Sequence, residues 1–271
     1  MKKPKNRKGI RRFLLIALAL FILFFLVGPK YSIKSVDLSA KFLSPCKEHW
    51  LGTDNLGRDV YSLLASGGLR TLEVTFLGVA ISFFLGVSLG LVSAFCNRFW
   101  HTVIQLAADL SLILPSFILA LVFSAIFGFS PVLIGIVLGL GNMGDYIIQS
   151  HDLACGIKKQ EFIEAERIVG LTDPAVIFFH IFPNIRRQLL VLLGNRIGGM
   201  IIQYAGLAYI GLGTDYSNPD WGSILYQYRS FLIPHPYLIL APAAAICFIT
   251  VCAHGIFDNG EHSDREMTIY D

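Results

Sequence analysis

The sequence predicts an all-α, polytopic membrane protein with six transmembrane helices, and three observations carry that prediction. Hydrophobic residues make up 54% of the 271 residues and charged residues 15%, with a mean hydropathy of +0.62, whereas an ordinary soluble chain is about 25% charged. A soluble chain this poor in charge could not cover its own surface, and disordered, collagenous and coiled-coil classes need polar or repetitive sequence that is absent. The apolar residues gather into six runs, most of them close to the roughly 20 residues that cross about 30 Å of hydrocarbon. The Lys and Arg residues between the runs favour alternate connections, as they do when one side is held in the cytoplasm.

The first run, 13–27, follows Lys2, Lys3, Lys5, Arg7, Lys8, Arg11 and Arg12 and precedes Gly28-Pro29. A basic stretch before a short apolar run also fits a secretory signal peptide, but no small-x-small cleavage site follows, so the segment reads as a retained anchor. Residues 30–70 are too many for a turn. Polar turn residues there give way to Val60, Leu63, Leu64 and Gly67 at helical spacing, which fits either an amphipathic helix at the membrane interface or a solvated connector.

The second run, 74–96, holds no charge, and its Gly86 and Gly90 have the small-xxx-small spacing of close helix contacts, as do Gly194 and Gly198 further on. The third run, 102–127, is interrupted by Asp109, and the fourth, 132–148, carries Asp145. Gly139-Leu140-Gly141-Asn142-Met143-Gly144 matches the G-x-G-x-x-G pattern of dinucleotide sites, but that fingerprint needs a preceding strand. Here it ends an apolar helix and reads as close packing or a helix break. No G-x-x-x-x-G-K-[ST] loop occurs, so the chain is not expected to hydrolyse ATP.

The connection 151–184 reads as two short helices. Residues 161–169 have helical composition, Gly170 is suited to end them in the left-handed conformation, and Thr172-Asp173-Pro174 supplies a cap and a first-turn proline. Pro183 is expected to limit the second helix. Val176, Ile177, Phe178, Phe179, Ile181 and Phe182 are too apolar for a solvated loop, so part of the segment must bury against a soluble partner or rest on lipid. The fifth run, 188–212, places Arg196 roughly 13 Å deep, and the sixth, 237–253, contains Pro242. Charges in hydrocarbon normally face a partner or an aqueous path. Asp109, Asp145 and Arg196 are therefore candidate pathway residues, the alternative being a structural ion pair of Arg196 with Asp109 or Asp145.

With the N-terminus inside, the seven basic residues before the first run share the cytoplasmic side with Arg98, Lys158, Lys159, Arg167, Arg186, Arg187 and Arg265. These are twice as many as the outer Lys30, Lys34, Lys41, Lys47, Arg58, Arg70 and Arg229. Both termini and the 151–184 connection are thus expected in the cytoplasm. The five cysteines are odd in number and mostly in or beside apolar stretches, which argues against a disulfide framework. Cys46, His49 and His254 form no metal-binding motif, and no catalytic constellation is legible.

Three motifs carry a resemblance. Glu164-Ala165-Glu166, Gly170 and His180-Ile181-Phe182-Pro183-Asn184 resemble the EAA loop of bacterial binding-protein-dependent ABC importer permeases. Leu51-Gly52-Thr53-Asp54 with Gly57-Arg58-Asp59 looks like the signature of the C-type permeases of the dipeptide, oligopeptide and nickel branch. Ile210-Gly211-Leu212-Gly213, followed by Pro219-Asp220-Trp221-Gly222, is similar to that branch's last outer loop. The sequence departs from the family at Glu166, where alanine is usual, at Asp145, Ile148 and His151, where Trp and two Arg are usual, and in an acidic rather than basic tail.

The resemblance implies a permease subunit of an ATP-driven importer in the bacterial inner membrane, surrounded by lipid and bound to no nucleic acid. It would form a translocation path with a second homologous permease and be driven by two ATPase subunits, which carry the ATP and Mg; no cofactor is expected on this chain. An extracytoplasmic substrate-binding protein would deliver nickel, a metal chelate, or a di- or oligopeptide, and 197–207 looks more like the metal-chelate permeases. Glu164, Ala165, Gly170, Phe178, Ile181 and Pro183 are the expected ATPase-coupling residues, with Phe178 and Ile181 on one contact face. Gly52, Thr53, Asp54, Gly57, Arg58, Asp59 and Trp221 belong to the binding-protein side. The chain divides into 1–70, with the basic N-terminus, first helix and outer segment; 71–257, the permease domain with its coupling loop at 158–184; and a cytoplasmic tail, 258–271. An ion-coupled secondary transporter or channel using the buried charges is the alternative, and it predicts inverted repeats that are not visible.

Overall fold

The computed structural model describes residues 7–27, 31–212 and 217–257; the first six residues, Gly213 and the acidic tail lie outside the described residues. Among the described residues five helical stretches are long and apolar enough to cross a membrane, and a sharply bent pair makes a sixth crossing if counted as one. No strand occurs among them beyond an isolated antiparallel bridge between Thr53 and Asp59.

Helix α1 spans Arg7–Val27. Helix α2, Val60–Ser93, is 34 residues long, about 51 Å at 1.5 Å per residue, so it outruns the hydrocarbon. The interfacial helix expected around Val60 to Gly67 is in fact the start of α2. Val60, Leu63, Leu64 and Gly67 are buried in protein, because Trp221, Ile224, Tyr228 and Leu238 pack over this stretch.

The third apolar run is two helices, α3 (Arg98–Ile113) and α4 (Ser116–Phe127), bent by 84°. Pro115 causes the break. It has no N–H to give and it drives the preceding residue out of the helical region; Leu114 is extended, with φ −82° and ψ 113°. Helices α5 (Pro131–Gly141) and α6 (Gly144–Lys158) then cross together, interrupted at Asn142-Met143, which bears out the reading of 139–144 as a break.

Helix α7, Glu161–Ile168, ends before Gly170, which has φ +98° as expected. Helix α8, Asp173–Val176, passes through one wide π turn, Ile177–Ile181, directly into α9, Phe182–Tyr209. Pro183 therefore does not end the second short helix. The wide turn lets the Phe182 N–H reach the Ile177 carbonyl, one residue further back than in an α-helix, and in this register a proline is tolerated in the first turn of α9. Helix α10, Trp221–Tyr228, follows a capping box made by Asp220 and Ser223, and α11, Tyr237–Phe257, keeps Pro242 inside it.

Glycines set the helix approaches. A Cβ on Gly86 would strike Tyr146 and the Met143 carbonyl, and one on Gly90 would strike Ser150 and the Ile147 carbonyl, so α2 and α5–α6 run side by side in the same direction. Gly194 meets Phe257 and Gly198 meets Thr250, bringing α11 antiparallel against α9, and Gly255 meets Leu14 of α1. Both small-xxx-small pairs thus sit at the contacts expected of them. The start of α1 and the end of α11 consequently lie at the α7–α8 end of the bundle, opposite the 31–59 segment. Buried clusters lie at each end, around Trp221 and Leu238 and around Ile163 and Ile181, with a third around Ile134 and Tyr204 between them.

Candidate functional site

Three places in the bundle carry the residues singled out above. At the 31–59 end the Gly52 to Asp59 motif is a clasp. Gly52 (φ +75°) and Gly57 (φ +74°) turn the chain where a side chain would overlap the Leu43 and Asp37 carbonyls. Asp54 accepts from the Leu56 and Arg58 amides at 2.8 Å and from Arg58 Nε at 2.7 Å. The Tyr228 hydroxyl donates to Asp54 at 2.6 Å, while Arg58 donates to that hydroxyl at 3.1 Å. Asp59 caps α2 through the Ser62 amide at 2.7 Å and pairs with His49 at 2.9 Å. Thr53 accepts from the Leu43 amide, and its carbonyl accepts from Tyr237 at 2.8 Å.

Thr53, Asp54, Arg58, Asp59 and Trp221 are all buried, and the motif holds the 31–59 segment to α10 and α11. Trp221 donates from its indole to the Leu64 carbonyl at 2.9 Å and lies against Gly68 of α2. Burial pushes the Tyr228 hydroxyl well above the usual tyrosine range, and the neighbouring Asp54 carboxylate adds to this. Burial likewise raises the Asp220 carboxyl, against the opposing pull of the Ser223 amide. Sequence reasoning read Asp220 to Gly222 only as a loop and did not find α10; the Asp220-x-x-Ser223 spacing was the available signal.

At the opposite end α7, α8 and the wide turn form a rigid loop. Ile163, Val176 and Ile181 are fully buried beneath it. Glu164, Ala165, Gly170 and Pro183 are exposed. Phe178 is 71% exposed, Phe179 70%, Ile168 83% and Val169 80%, four bare apolar side chains on a loop that also exposes Glu161 and Glu164. Phe178 and Ile181 do not share a contact face. Ile181 points into the core and anchors the loop, and Phe179, Ile168 and Val169 take its place at the surface.

Midway between the ends, Arg196 of α9 and Asp145 of α6 form an ion pair at 2.6 Å, while Asp109 is exposed on α3 and takes no part in that pair. About two turns further toward the 31–59 end, Gln203 accepts from Ser116 at 3.1 Å and from Asn142 at 3.0 Å. Asn142 also donates to the Leu138 carbonyl at 2.7 Å, and Ser111 donates to the Gly141 carbonyl at 2.9 Å while accepting from the Gly144 amide at 3.2 Å. Ser111 thereby satisfies the carbonyl and the amide on either side of the α5–α6 break. Among the described residues no three His, Cys, Asp or Glu side chains converge as a metal site would require. Ser116, Asn142 and Gln203 were not singled out from sequence; amides and a hydroxyl inside apolar runs were the signal.

The family described as binding-protein-dependent transport system inner membrane component matches residues 86–262. The dipeptide transport system permease protein DppC of Alkalihalophilus pseudofirmus is 29% identical over 240 residues, covering 88% of this chain and 79% of that protein. The glutathione transport system permease protein GsiD of Pectobacterium atrosepticum is 27% identical over 264 residues, covering 94% and 87%. The GsiD of Salmonella paratyphi A is 30% identical over 218 residues, covering 80% and 71%. Among solved structures, an amino acid ABC transporter superposes with a TM-score of 0.55 at 20% identity, over 72% of this chain and 91% of that one. The inward-facing methionine transporter MetNI gives 0.55 at 17% identity, over 72% and 94%. The two structures share the fold.

Proposed function

This chain belongs to the binding-protein-dependent transport system inner membrane components, as an ABC importer permease of the peptide branch, and from that membership we propose that it imports short peptides through a path shared with a second permease. The names of its relatives, dipeptide and glutathione permeases, support a peptide over nickel or a metal chelate. An ion-coupled carrier would keep Asp145 and Arg196 for its ion; here they neutralise each other.

The observation that carries the mechanism is the α7–α8 loop. The exposed Ile168, Val169, Phe178 and Phe179 stand on a loop anchored by Ile163, Val176 and Ile181. Exposed apolar area of this kind marks a docking surface, and the anchoring lets it transmit a push rather than absorb it. ATP binding and hydrolysis on two ATPase subunits, which carry the ATP and Mg, move this loop. The exposed Glu164 and Ala165 join the contact, while Gly170 and Pro183 shape it. The clasped 31–59 end receives the extracytoplasmic binding protein, and the tail of the chain and its N-terminus lie with the ATPases in the cytoplasm of a bacterial inner membrane.

The test is copurification. The wild-type chain, expressed with its neighbouring subunits, brings down a second permease and two ATPases. Replacing Val169 and Phe178 together by Asp releases the ATPases and leaves the permease pair intact. Transport by this chain alone in liposomes, without any ATPase, would overturn the reading.

A further inference from the structure

The polar residues at the centre of the membrane are arranged in two tiers along α9. The upper tier, toward the 31–59 end, is Gln203 with Asn142 and Ser116. The lower tier is Arg196 with Asp145. Arg196 and Gln203 are seven residues apart, two helical turns and about 10 Å along the axis. Between them lies Gly199, exposed and with nothing within 4 Å of the Cβ it lacks, so bare backbone floors the space between the tiers.

Both helix breaks meet this row. The Leu114-Pro115 bend delivers Ser116 and the Asn142-Met143 break delivers Asn142 to the same glutamine. Interrupted helix at membrane depth persists only where protein buries it or where it borders an aqueous cavity. Asn142 and Gln203 are half-buried, and the ion pair is still 37% exposed at Arg196 and 27% at Asp145. The row is therefore open on one side, and a second permease packed against that side would close it into a path.

We propose that the two tiers form a transient binding site for a zwitterionic short peptide, a reading that rests on the peptide permease assigned above. A peptide's terminal carboxylate takes the place of Asp145 at Arg196 and its ammonium group takes the place of Arg196 at Asp145, so the exchange leaves the net charge of the site unchanged. The backbone amides of the peptide take hydrogen bonds from, and give them to, Gln203 and Asn142. The Arg196–Asp145 bond closes the site behind the departing peptide.

The experiment uses the complete transporter in proteoliposomes, supplied with saturating binding protein, and compares a dipeptide with its C-terminal amide. Arg196→Met is expected to slow the free-acid peptide by about tenfold or more, the worth of a hydrogen bond to a charged group, and to leave the amide within about twofold. Gln203→Leu is expected to slow both by about tenfold, while binding-protein-stimulated ATP hydrolysis persists. If Arg196→Met fails to assemble, the neutral pair Arg196→Gln with Asp145→Asn removes the ammonium contact from both peptides and the carboxylate contact from the free acid alone, so the free acid is expected to lose about tenfold more than the amide. Equal losses for acid and amide reduce the pair to a structural role and overturn the proposal, as does unchanged transport by Gln203→Leu. Loss of stimulation in the wild-type complex would instead count against the permease reading itself.

Discussion

Asp220 shows how much one side chain can be asked to do. It caps α10 by accepting from the Ser223 amide at 2.9 Å, yet it is buried and its carboxyl is raised by that burial. A carboxyl raised in the folded state binds its proton more tightly there than in the unfolded chain. Its contribution to stability is full below the ordinary carboxylate range and is lost as pH rises through the raised value. Replacing Asp220 by Asn keeps a capping acceptor and removes this titration, so the advantage of the variant over wild type should grow as pH rises from the ordinary carboxylate range through the raised value. Replacing it by Ala loses the cap and should cost about 1 kcal/mol, within a range of about 0.5–2. Thermal unfolding of the purified protein in detergent across that pH range reads both; a wild-type chain that gains stability relative to the Asp220→Asn variant with rising pH would refute the assignment. The residue scale is also where sequence reasoning was strongest for motif identity and weakest for role. Gly52, Thr53, Asp54, Arg58 and Asp59 were recognisable from spacing. The burial of Asp54 against Tyr228 and of Thr53 against Tyr237 depends on contacts 174 and 184 positions away, which no local pattern contains.

Helix positions followed from hydropathy, and helix continuity did not. Five of the six apolar runs are helical stretches long and apolar enough to cross, and the third is a pair bent by 84° that makes a sixth crossing if counted as one; a lipid-facing backbone must close its hydrogen bonds within a helix. Polar residues at the start of α2 looked like a separate element only because α10, which covers them, was invisible to hydropathy. Pro115 broke its helix and Pro183 did not: the first sits where no wider register is formed, the second just after the π turn. The glycine contacts give this scale its prediction. Gly90→Ala should destabilise by about 1–3 kcal/mol, since its Cβ overlaps Ser150 and the Ile147 carbonyl. Gly156→Ala, on α6 with nothing within 4 Å, should stabilise by about 0.5–1 kcal/mol through helix propensity alone. Unfolding midpoints of the two variants in one detergent compare them directly, and a neutral Gly90→Ala would mean that α2 and α6 pack less closely than described.

For the whole molecule, the antiparallel chain α9, α11, α1 brings the first and last described helix ends to the α7–α8 end, and the 31–59 segment to the other. Which end faces the cytoplasm is the part carried by charge placement, and the exposed Cys46 offers a direct reading. A variant keeping Cys46 as its only cysteine should react with a membrane-impermeant maleimide in intact cells. A second variant, with its only cysteine introduced at Glu164, should react only after the membrane is opened. The opposite pattern would invert the topology and move the ATPases to the wrong side of this bundle. Of the central two-tier row, Arg196 and Asp145 are legible in the sequence as charges inside apolar runs, whereas Ser116, Asn142 and Gln203 come from three separate runs and look, one at a time, like exceptions.

The wide turn at Ile177–Ile181 has a further meaning as a gear setting. Its extra residue fixes the angular phase between the docking loop and the shaft formed by α9, on which Arg196 and Gln203 are mounted. Removing one residue from the regular helix beyond it, between Pro183 and Arg196, would turn everything before the cut by about 100° relative to the shaft. Phe178, Phe179 and Ile181 would turn together, and Ile181 would leave the core it anchors. Loop and shaft could each remain well folded, and the machine would still be out of time.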